Sequence, residues 1–262
     1  MTNIAIVGAA GRMGLRLIAL SRQHEELRVV AATERPGHSA IGQDAGEVAG
    51  IGRIGIAIFA DLVDVPQVVI DFTAPAATRA MIKICREKGI AMVIGTTGLQ
   101  QADHNLIDEA AADIAILQAP NMSMGVNLLF KVAAQMAKVL GDDYDIEITE
   151  LHHRFKKDAP SGTAMGIAEA ILKSTGKGRD ALVQSRHGDD CPRKRGEIGM
   201  QSLRLGDEVG RHTVYFGALG ERLEVTHTAT TRDTFAHGAL KAADWLAGRK
   251  PGRYTMADVL GL

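Results

Sequence analysis

The chain has 262 residues, of which 46% are hydrophobic and 23% are charged, and its net charge is −1. This length fits one large domain or two small ones, and the balanced charge argues against nucleic acid as a partner. No run of about 18 apolar residues is present, so we expect no membrane span. The two cysteines, Cys85 and Cys191, lie far apart and form no CxxC pair. We therefore expect a cytoplasmic, disulfide-free protein without a signal peptide or a metal site.

The first unit in the chain is a strand, a glycine turn, a helix and a second strand. An apolar run over residues 3–7 is followed by Gly8-Ala9-Ala10-Gly11-Arg12-Met13-Gly14 and by a helical pattern over residues 15–21. The second strand is predicted over residues 27–32, and an acid, Glu34, comes soon after it. This order is typical of a dinucleotide-binding unit, so we expect a Rossmann-type domain.

The three glycines of this turn have separate roles. Gly8 allows a tight turn, Gly11 lets the backbone approach a pyrophosphate, and Gly14 allows close packing of helix and strand. The spacing is GxxGxxG rather than GxGxxG, but the flanking elements are all present. Glu34 favours NAD because its charge repels a 2′-phosphate, whereas Arg35 directly after it would pair with that phosphate. The residues leave this choice open, and we expect NADH or NADPH as the cofactor.

Strands and helices continue to alternate as far as residue 122. Strands are predicted over residues 54–59, 68–72, 92–94 and 114–118, and helices over residues 75–88 and 101–112. Three polar turns follow these strands: Asp71-Phe72-Thr73, Gly95-Thr96-Thr97-Gly98 and Ala119-Pro120-Asn121. Ligands bind beyond the carboxyl ends of the strands in such sheets. Each turn alone is equally well explained as a simple strand end, but together they favour a cofactor groove.

The pattern changes after residue 121. A helix is predicted over residues 124–140, and residues 145–151 then alternate, with Ile146 and Ile148 on one side and Glu147 and Thr149 nearer the other. Such alternation indicates a sheet with one apolar face. The remaining predicted elements are a helix over 163–174, a polar loop over 173–194, strands over 200–205, 213–218 and 221–228, and a helix over 232–246.

These patterns predict an α/β fold with two domains. A Rossmann-type dinucleotide-binding domain is expected from residues 1–122 and 232–262. An α+β domain with an open mixed sheet is expected from residues 123–231. We assign substrate binding and oligomerisation to this second domain, because an open sheet with an exposed face usually needs a cover.

Residues 148–164 follow no amphipathic period and carry two histidines, three cations and two acids. His152 is a candidate proton donor because histidine titrates near neutral pH. The turn Ser161-Gly162-Thr163 begins a helix, where hydroxyls, bare N–H groups and the positive dipole end suit a carboxylate. Lys156 adds a point charge. His153 or the same turn would meet any further anionic group of a ligand, and the sequence leaves both open.

Over residues 147–164 the sequence reads Glu-Ile-Thr-Glu-Leu-His-His-Arg-Phe-Lys-Lys-Asp-Ala-Pro-Ser-Gly-Thr-Ala. It resembles the dihydrodipicolinate reductase family, also called 4-hydroxy-tetrahydrodipicolinate reductase, whose signature is matched at the following positions: Glu147, Glu150, His152, His153, Arg154, Lys156, Asp158, Pro160, Ser161, Gly162, Thr163 and Ala164. Further matches run along the whole chain. Met122 stands where the family commonly has an aromatic residue.

The resemblance implies a homotetramer that reduces a cyclic dicarboxylate, 4-hydroxy-tetrahydrodipicolinate, in lysine and diaminopimelate biosynthesis. It implies that His152 is the catalytic acid/base, that Lys156 is its cationic partner, and that His153 and the turn at Ser161, Gly162 and Thr163 bind substrate. The implied cofactor contacts are Gly8, Ala9, Ala10, Gly11, Arg12, Met13, Glu34, Gly95, Thr96, Thr97, Ala119, Pro120, Asn121 and Met122.

Several alternatives remain on the residues alone. The two histidines could be ordinary surface residues, and Asp158 and Ser161 could be only helix caps. A zinc site at His152 and His153 is disfavoured because adjacent histidines on an extended segment point apart. At the level of function, the rivals are another two-domain dehydrogenase of amino-acid metabolism and a non-catalytic nicotinamide-sensing protein.

Overall fold

The computed structural model describes residues 1–262, and the chain folds as two compact units. The first comprises Met1–Ser123 and Asp233–Gly261, and the second comprises Met124–Arg232 together with Leu262. No helix in either unit is both long enough and apolar enough to cross a membrane. The α/β class with a parallel Rossmann-like sheet and a second, mixed sheet is confirmed.

The first unit is built on a seven-stranded parallel sheet. Numbered in chain order, its elements are β1 (Thr2–Val7), α1 (Arg12–Ser21), β2 (Leu27–Thr33), α2 (Ala45–Val48), β3 (Ile58–Phe59), β4 (Val68–Asp71), α3 (Pro75–Lys88), β5 (Ala91–Ile94), α4 (Gln101–Ala110), β6 (Ala115–Gln118), α7 (Asp233–Leu246), β12 (Gly252–Tyr254) and α8 (Met256–Leu260). The strand order is β12-β6-β5-β4-β1-β2-β3.

Helices cover both faces of this sheet. Along β1, Ile4 and Ile6 pack in the cluster that holds α1 and α7, whereas Ala5 and Val7 pack in the cluster that holds α3 and α4. Burial on both faces explains why β4 is an unbroken apolar run up to Asp71.

The order of the strands reverses beside β1, which pairs with β2 on one side and with β4 on the other. The loops that leave β1 and β4 therefore diverge at their carboxyl ends and leave a crevice between them. In open parallel sheets this is the place where ligands bind.

The structure corrects three expectations for this unit. The strand predicted over residues 54–59 is reduced to β3, because the backbone N–H groups of Ile54 and Gly55 donate to the carboxylate of Asp44. Gly55 also has a φ of +79°, which a strand does not tolerate. The short elements β12 and α8 are missed by the pattern, and α1 begins at Arg12 rather than at residue 15.

The second unit has a five-stranded mixed sheet in the order β11-β10-β7-β9-β8. Its elements are α5 (Met124–Leu140), β7 (Asp145–His152), α6 (Gly162–Thr175), β8 (Leu182–Gln184), β9 (Ile198–Arg204), β10 (Gly210–Ala218) and β11 (Glu221–Ala229). Strand β10 runs antiparallel to β7 and β11, whereas β7 and β8 are parallel to β9. Helices α5 and α6 pack on one face of the sheet around Ile146, Ile148, Val214 and Phe216.

The loop predicted over residues 173–194 contains β8, which the polar composition hides. Two side chains of this loop reach the opposite face of the sheet, where the guanidinium groups of Arg186 and Arg193 pair with the carboxylate of Glu147. A Cβ on Gly199 of β9 would lie 1.8 Å from the same carboxylate. A side chain at residue 199 would therefore force the carboxylate of Glu147 to move.

Candidate active site

The helix-covered face of the second sheet changes from apolar to polar along β7. Ile146 and Ile148 lie in the core, and the next two residues on that face are Glu150 and His152, both buried. The neighbouring strands change at the same level. His212 of β10 stands opposite Glu150, and Arg204 of β9 stands opposite His152. The register of β7 with β9 and β10 therefore brings two histidines, an acid and an arginine together at one end of the sheet.

His152 is held through one ring nitrogen. Its Nδ1 lies 2.5 Å from Oε2 of Glu150, whose side chain is fully buried. An ionised carboxylate only accepts hydrogen bonds, so Nδ1 carries the hydrogen and the other nitrogen, Nε2, is left for chemistry. Space beside Nε2 exists because the neighbouring residue is Gly210, where a Cβ would lie 3.0 Å from it.

Glu150 is itself clamped by Arg204. The two guanidinium nitrogens donate to the two carboxylate oxygens at 2.9 Å each, and the Ser161 N–H donates to Oε1 at 3.2 Å. The same guanidinium reaches the carbonyl oxygen of Asp158 at 2.6 Å. Burial by itself would raise the pKa of Glu150, but the hydrogen bonds from Arg204 and His152 hold that pKa below its usual value. Glu150 is therefore an anion at neutral pH.

The two histidines of this cluster are both pushed toward the neutral form. Burial lowers the pKa of His152, Glu150 opposes this, and the nearby charges of Lys156 and Arg204 lower it further. Burial, together with the neighbouring His152, lowers the pKa of His212 to about 3. His212 is thus neutral at physiological pH, and its Nε2 lies 2.9 Å from the hydroxyl oxygen of Ser161.

Ser161 directly precedes α6 as its N-cap, and both its backbone N–H and its hydroxyl form hydrogen bonds. Its hydroxyl accepts from the N–H of Ala164 at 3.1 Å, which makes Ser161, and not Asp158, the cap of the helix. Since the hydroxyl is buried and has two partners, contact with a substrate would require one of these bonds to be exchanged. Gly162 is exposed at the helix start, with no atom within 4 Å of the site of a Cβ, and no acid lies in the first turn. This helix end suits an anion.

The loop between β7 and α6 carries the other predicted side chains. Lys156 donates through Nζ to both carboxylate oxygens of Asp158 at 2.8 Å, and its backbone N–H donates to the carbonyl of His153. The Nδ1 of His153 is buried without a hydrogen-bond partner in the protein. Lys156, His152 and the α6 N-terminus are therefore in one neighbourhood of the second unit, with cationic or donor groups predominating.

In the first unit the glycine turn has the geometry its residues predict. Gly8 has a φ of +72°, and a Cβ on Gly14 would lie 2.1 Å from the carbonyl oxygen of Gly8. The N–H groups of Gly8 and Ala9 are satisfied by the carbonyl of Thr33. Helix α1 starts after Gly11 without any side-chain cap or first-turn acid. The first-turn donors, beginning with Arg12 and Met13, are thus suited to a phosphate.

The acid after β2 is positioned by the same turn. One carboxylate oxygen of Glu34 accepts from the N–H of Ala10 at 3.2 Å, and the other accepts from the N–H of Arg35 at 2.9 Å. The guanidinium of Arg35 is exposed and makes no hydrogen bond within the protein. Glu34 is therefore fixed at the rim of the crevice, and Arg35 is available to a ligand.

Hydrogen bonds connect the polar turns after β4 and β5. The buried carboxylate of Asp71 accepts from the N–H and hydroxyl of Thr73, at 2.9 and 2.6 Å, and from the hydroxyl of Thr96. The hydroxyl of Thr96 therefore already has a hydrogen-bond partner within the protein, whereas Thr97 is exposed. Gly95 is required because a Cβ there would overlap the ring of Phe72.

The turn after β6 contains both buried and exposed residues. Ala119 and Met122 are buried in the core, and Pro120 is exposed. Asn121 accepts the N–H of Ser123 through its side-chain oxygen. Met122 as a whole is only 1% exposed, so the structure offers little of this residue to a cofactor.

Two family models cover the chain. One described as dihydrodipicolinate reductase, N-terminus, matches residues 2–122, and one described as dihydrodipicolinate reductase, C-terminus, matches residues 125–260. The chain belongs to the dihydrodipicolinate reductase family. The resemblance seen in the sequence is thus confirmed over nearly the full length.

Curated relatives agree. A 4-hydroxy-tetrahydrodipicolinate reductase of Hahella chejuensis is 50% identical over 266 residues, covering 100% of both chains. One of Alkalilimnicola ehrlichii is 50% identical over 265 residues, covering 100% of this chain and 99% of its own. One of Geobacter sp. is 49% identical over 266 residues, with complete coverage of both.

Among solved structures, a dipicolinate-bound dihydrodipicolinate reductase from Paenisporosarcina sp. TG-14 superposes with a TM-score of 0.77 at 22% identity, covering 98% of each chain. An amine dehydrogenase from Mycobacterium smegmatis gives 0.67 at 15% identity, covering 97% of this chain and 95% of its own. At such identities these similarities establish the fold alone.

Three residues of the site in this dihydrodipicolinate reductase homologue have no role that the sequence predicts: Glu150, Arg204 and His212. Glu150 matches the signature, but its contact with His152 is not evident from that match. A clue was present, because Glu150 interrupts the apolar side of the alternating strand. Arg204 and His212 reach the cluster only through the register of β9 and β10, which no local pattern encodes.

Proposed function

We propose that this protein is an NAD(P)H-dependent oxidoreductase that reduces 4-hydroxy-tetrahydrodipicolinate to tetrahydrodipicolinate in lysine and diaminopimelate biosynthesis. The observation that carries the proposal is the buried Glu150–His152 pair beside the start of α6, which Ser161 caps and which has no acid in its first turn, within the family signature read in the sequence. This combination joins a proton donor to a site for carboxylates.

The residues of the first unit fit a nicotinamide dinucleotide. The first turn of α1 lacks a side-chain cap, the Gly8–Gly14 contact leaves no room for side chains, and the carboxylate of Glu34 is fixed at the end of β2. In this proposal residues 8–13 and Gly95 to Thr97 hold the dinucleotide, with Ala119 to Met122 beside it. When bound, the reduced nicotinamide supplies a hydride.

The residues of the second unit supply the remaining chemistry. Loss of the substrate hydroxyl as water and delivery of a hydride to a ring carbon require one proton for balance. The doubly protonated form of His152, in which Nδ1 stays bonded to Glu150 and Nε2 also carries a hydrogen, gives this proton from Nε2. A substrate carboxylate is held by the N-terminus of α6 at Gly162 and Thr163. Lys156 exchanges its ion pair with Asp158 for the second negative charge, and His153 assists through its ring nitrogen.

The same proposal places the protein in the cytoplasm as a homotetramer. Its support is the open five-stranded sheet, on which α5 and α6 pack against only one face. A sheet with one uncovered face is commonly completed by another subunit.

The test is a turnover assay that follows the oxidation of NADH or NADPH. Oxidation should occur when the cyclic condensation product is generated in the assay, and not with amino acids or amines as substrates. His152→Gln should lower kcat by about 10²–10⁴-fold while NADH still binds with unchanged affinity, because a positioned acid contributes a factor of that size. Absence of turnover with both cofactors would refute the proposal, and so would full activity of His152→Gln.

A further inference from the structure

We propose that Glu150, clamped by Arg204, is a positioning residue that fixes the tautomer and ring orientation of His152, so that Nε2 is the nitrogen that transfers the proton. This inference rests on the proposed function for its catalytic consequence. Its structural part concerns the histidine itself and can be tested without turnover.

Hydrogen bonds surround the carboxylate of Glu150 on all sides. Glu150 is fully buried and receives hydrogen bonds from His152, from both terminal nitrogens of Arg204, and from the Ser161 N–H. With four donors around two oxygens, the carboxylate has no freedom to rotate away from the imidazole. A bidentate arginine pair is also the strongest planar restraint that two side chains provide.

The charges around His152 orient its ring without fixing its protonation state. The groups that face it are Glu150 on its own strand, Arg204 on β9, His212 on β10, and Lys156 in the following loop. His212 is neutral, so it adds no charge. Burial is the largest influence on the pKa of His152 and lowers it despite the attraction of Glu150, with smaller contributions from Lys156 and Arg204, so Glu150 orients the imidazole without holding a proton on it. Such a partner keeps a histidine able to give up its proton.

The ring nitrogen of His152 that Glu150 does not bind faces the open space beside Gly210. With Nδ1 bonded to Glu150, Nε2 points toward Gly210, the one residue of the neighbouring strand at this level without a side chain. The rings of His152 and His212 meet edge to face, with centroids 5.1 Å apart, which further limits the tilt of His152. The opposite tautomer would place a hydrogen on Nε2 and leave Nδ1 without a donor for the buried carboxylate, which is costly.

The decisive variant is Glu150→Gln. A glutamine amide keeps the size of the side chain but offers an N–H group to Nδ1, which selects the opposite tautomer. We expect kcat to fall by about 10²–10⁴-fold with little change in KM, as for other acid–base histidines whose orienting carboxylate becomes an amide. The matched control is Glu147→Gln on the same strand, where the acid also pairs with arginines but faces the other side of the sheet. That control should keep wild-type kcat.

A second comparison separates positioning from simple stability. If Arg204 acts through Glu150, the double variant Glu150→Gln/Arg204→Gln should lose no more kcat than Glu150→Gln alone, because the two residues form one unit. Losses that multiply would indicate independent structural roles and would overturn the proposed coupling.

The tautomer itself is measured by ¹⁵N NMR of the histidine side chains, with His152→Gln identifying the signal. In the wild-type protein the signal of His152 should report a hydrogen on Nδ1, and in Glu150→Gln it should report a hydrogen on Nε2. An Nε2–H tautomer in the wild type would overturn the inference even if the enzyme is active. A correct tautomer in a protein that fails to turn over would instead count against the proposed function alone.

Discussion

Gly210 offers a direct way to block the reactive nitrogen of His152. The change Gly210→Ala would place a methyl carbon 3.0 Å from Nε2 and 3.3 Å from Cδ2 of His152. Ordinary van der Waals contacts lie at about 3.5–4.0 Å, so the ring must move by roughly 0.5 Å or more. It cannot move freely, because Nδ1 is bonded to the buried Glu150 at 2.5 Å.

The expected cost follows from this geometry. A misplacement approaching 1 Å in a reacting group costs on the order of 10²-fold in rate, so we expect kcat to fall by about 10–100-fold. This equals about 1.4–2.7 kcal/mol of lost transition-state stabilisation. The methyl group also excludes substrate atoms from the space in front of Nε2, so kcat/KM should fall at least as far as kcat.

The assay is steady-state turnover with the cyclic substrate generated in the reaction, together with the thermal midpoint of each variant. Gly217→Ala is the matched control, because Gly217 lies on the same strand, has no positive φ, and has no atom within 4 Å of the new methyl group. It should keep wild-type kcat. Equal kcat values for both alanine variants and the wild type would refute the assignment of Nε2 as the reactive nitrogen.

Two further predictions concern pH and cofactor choice. Burial holds the pKa of His152 below its ordinary value of 6.5 in the free protein, and an acid must be protonated, so kcat/KM should fall as pH rises through that lowered pKa. The negative charges of a bound dicarboxylate raise the pKa of His152, so kcat should fall at a higher pH than kcat/KM does. If kcat instead fell at a lower pH than kcat/KM, this account would be wrong. Arg35→Ala should reduce kcat/KM for NADPH by roughly 10–100-fold, the value of a charged hydrogen bond, and leave NADH use intact. Unchanged use of NADPH by this variant would remove Arg35 from the cofactor site.

The local elements were largely predictable because their causes are local. Helix α3 begins at Pro75 and ends before Gly89, and its bounds match the sequence pattern. Helix α5 also matches the predicted bounds, since its apolar period is regular over the whole segment. The apolar pattern wrongly predicted a strand at Ile54 and Gly55, because their backbone N–H groups donate to the carboxylate of Asp44 instead of to a neighbouring strand.

The sequence by itself determined the family, the glycine turn with its helix, and the residue types of the loop between β7 and α6, because each depends on short-range spacing. Only the tertiary structure decided which side chains hold His152. Glu150 could be placed on its face by alternation, but Arg204 and His212 lie more than 50 positions away and arrive through the pairing of β7 with β9 and β10. Strand register is set by packing over the whole sheet, so no segment read alone could show that a buried carboxylate, clamped by an arginine, selects the nitrogen of His152 that faces Gly210.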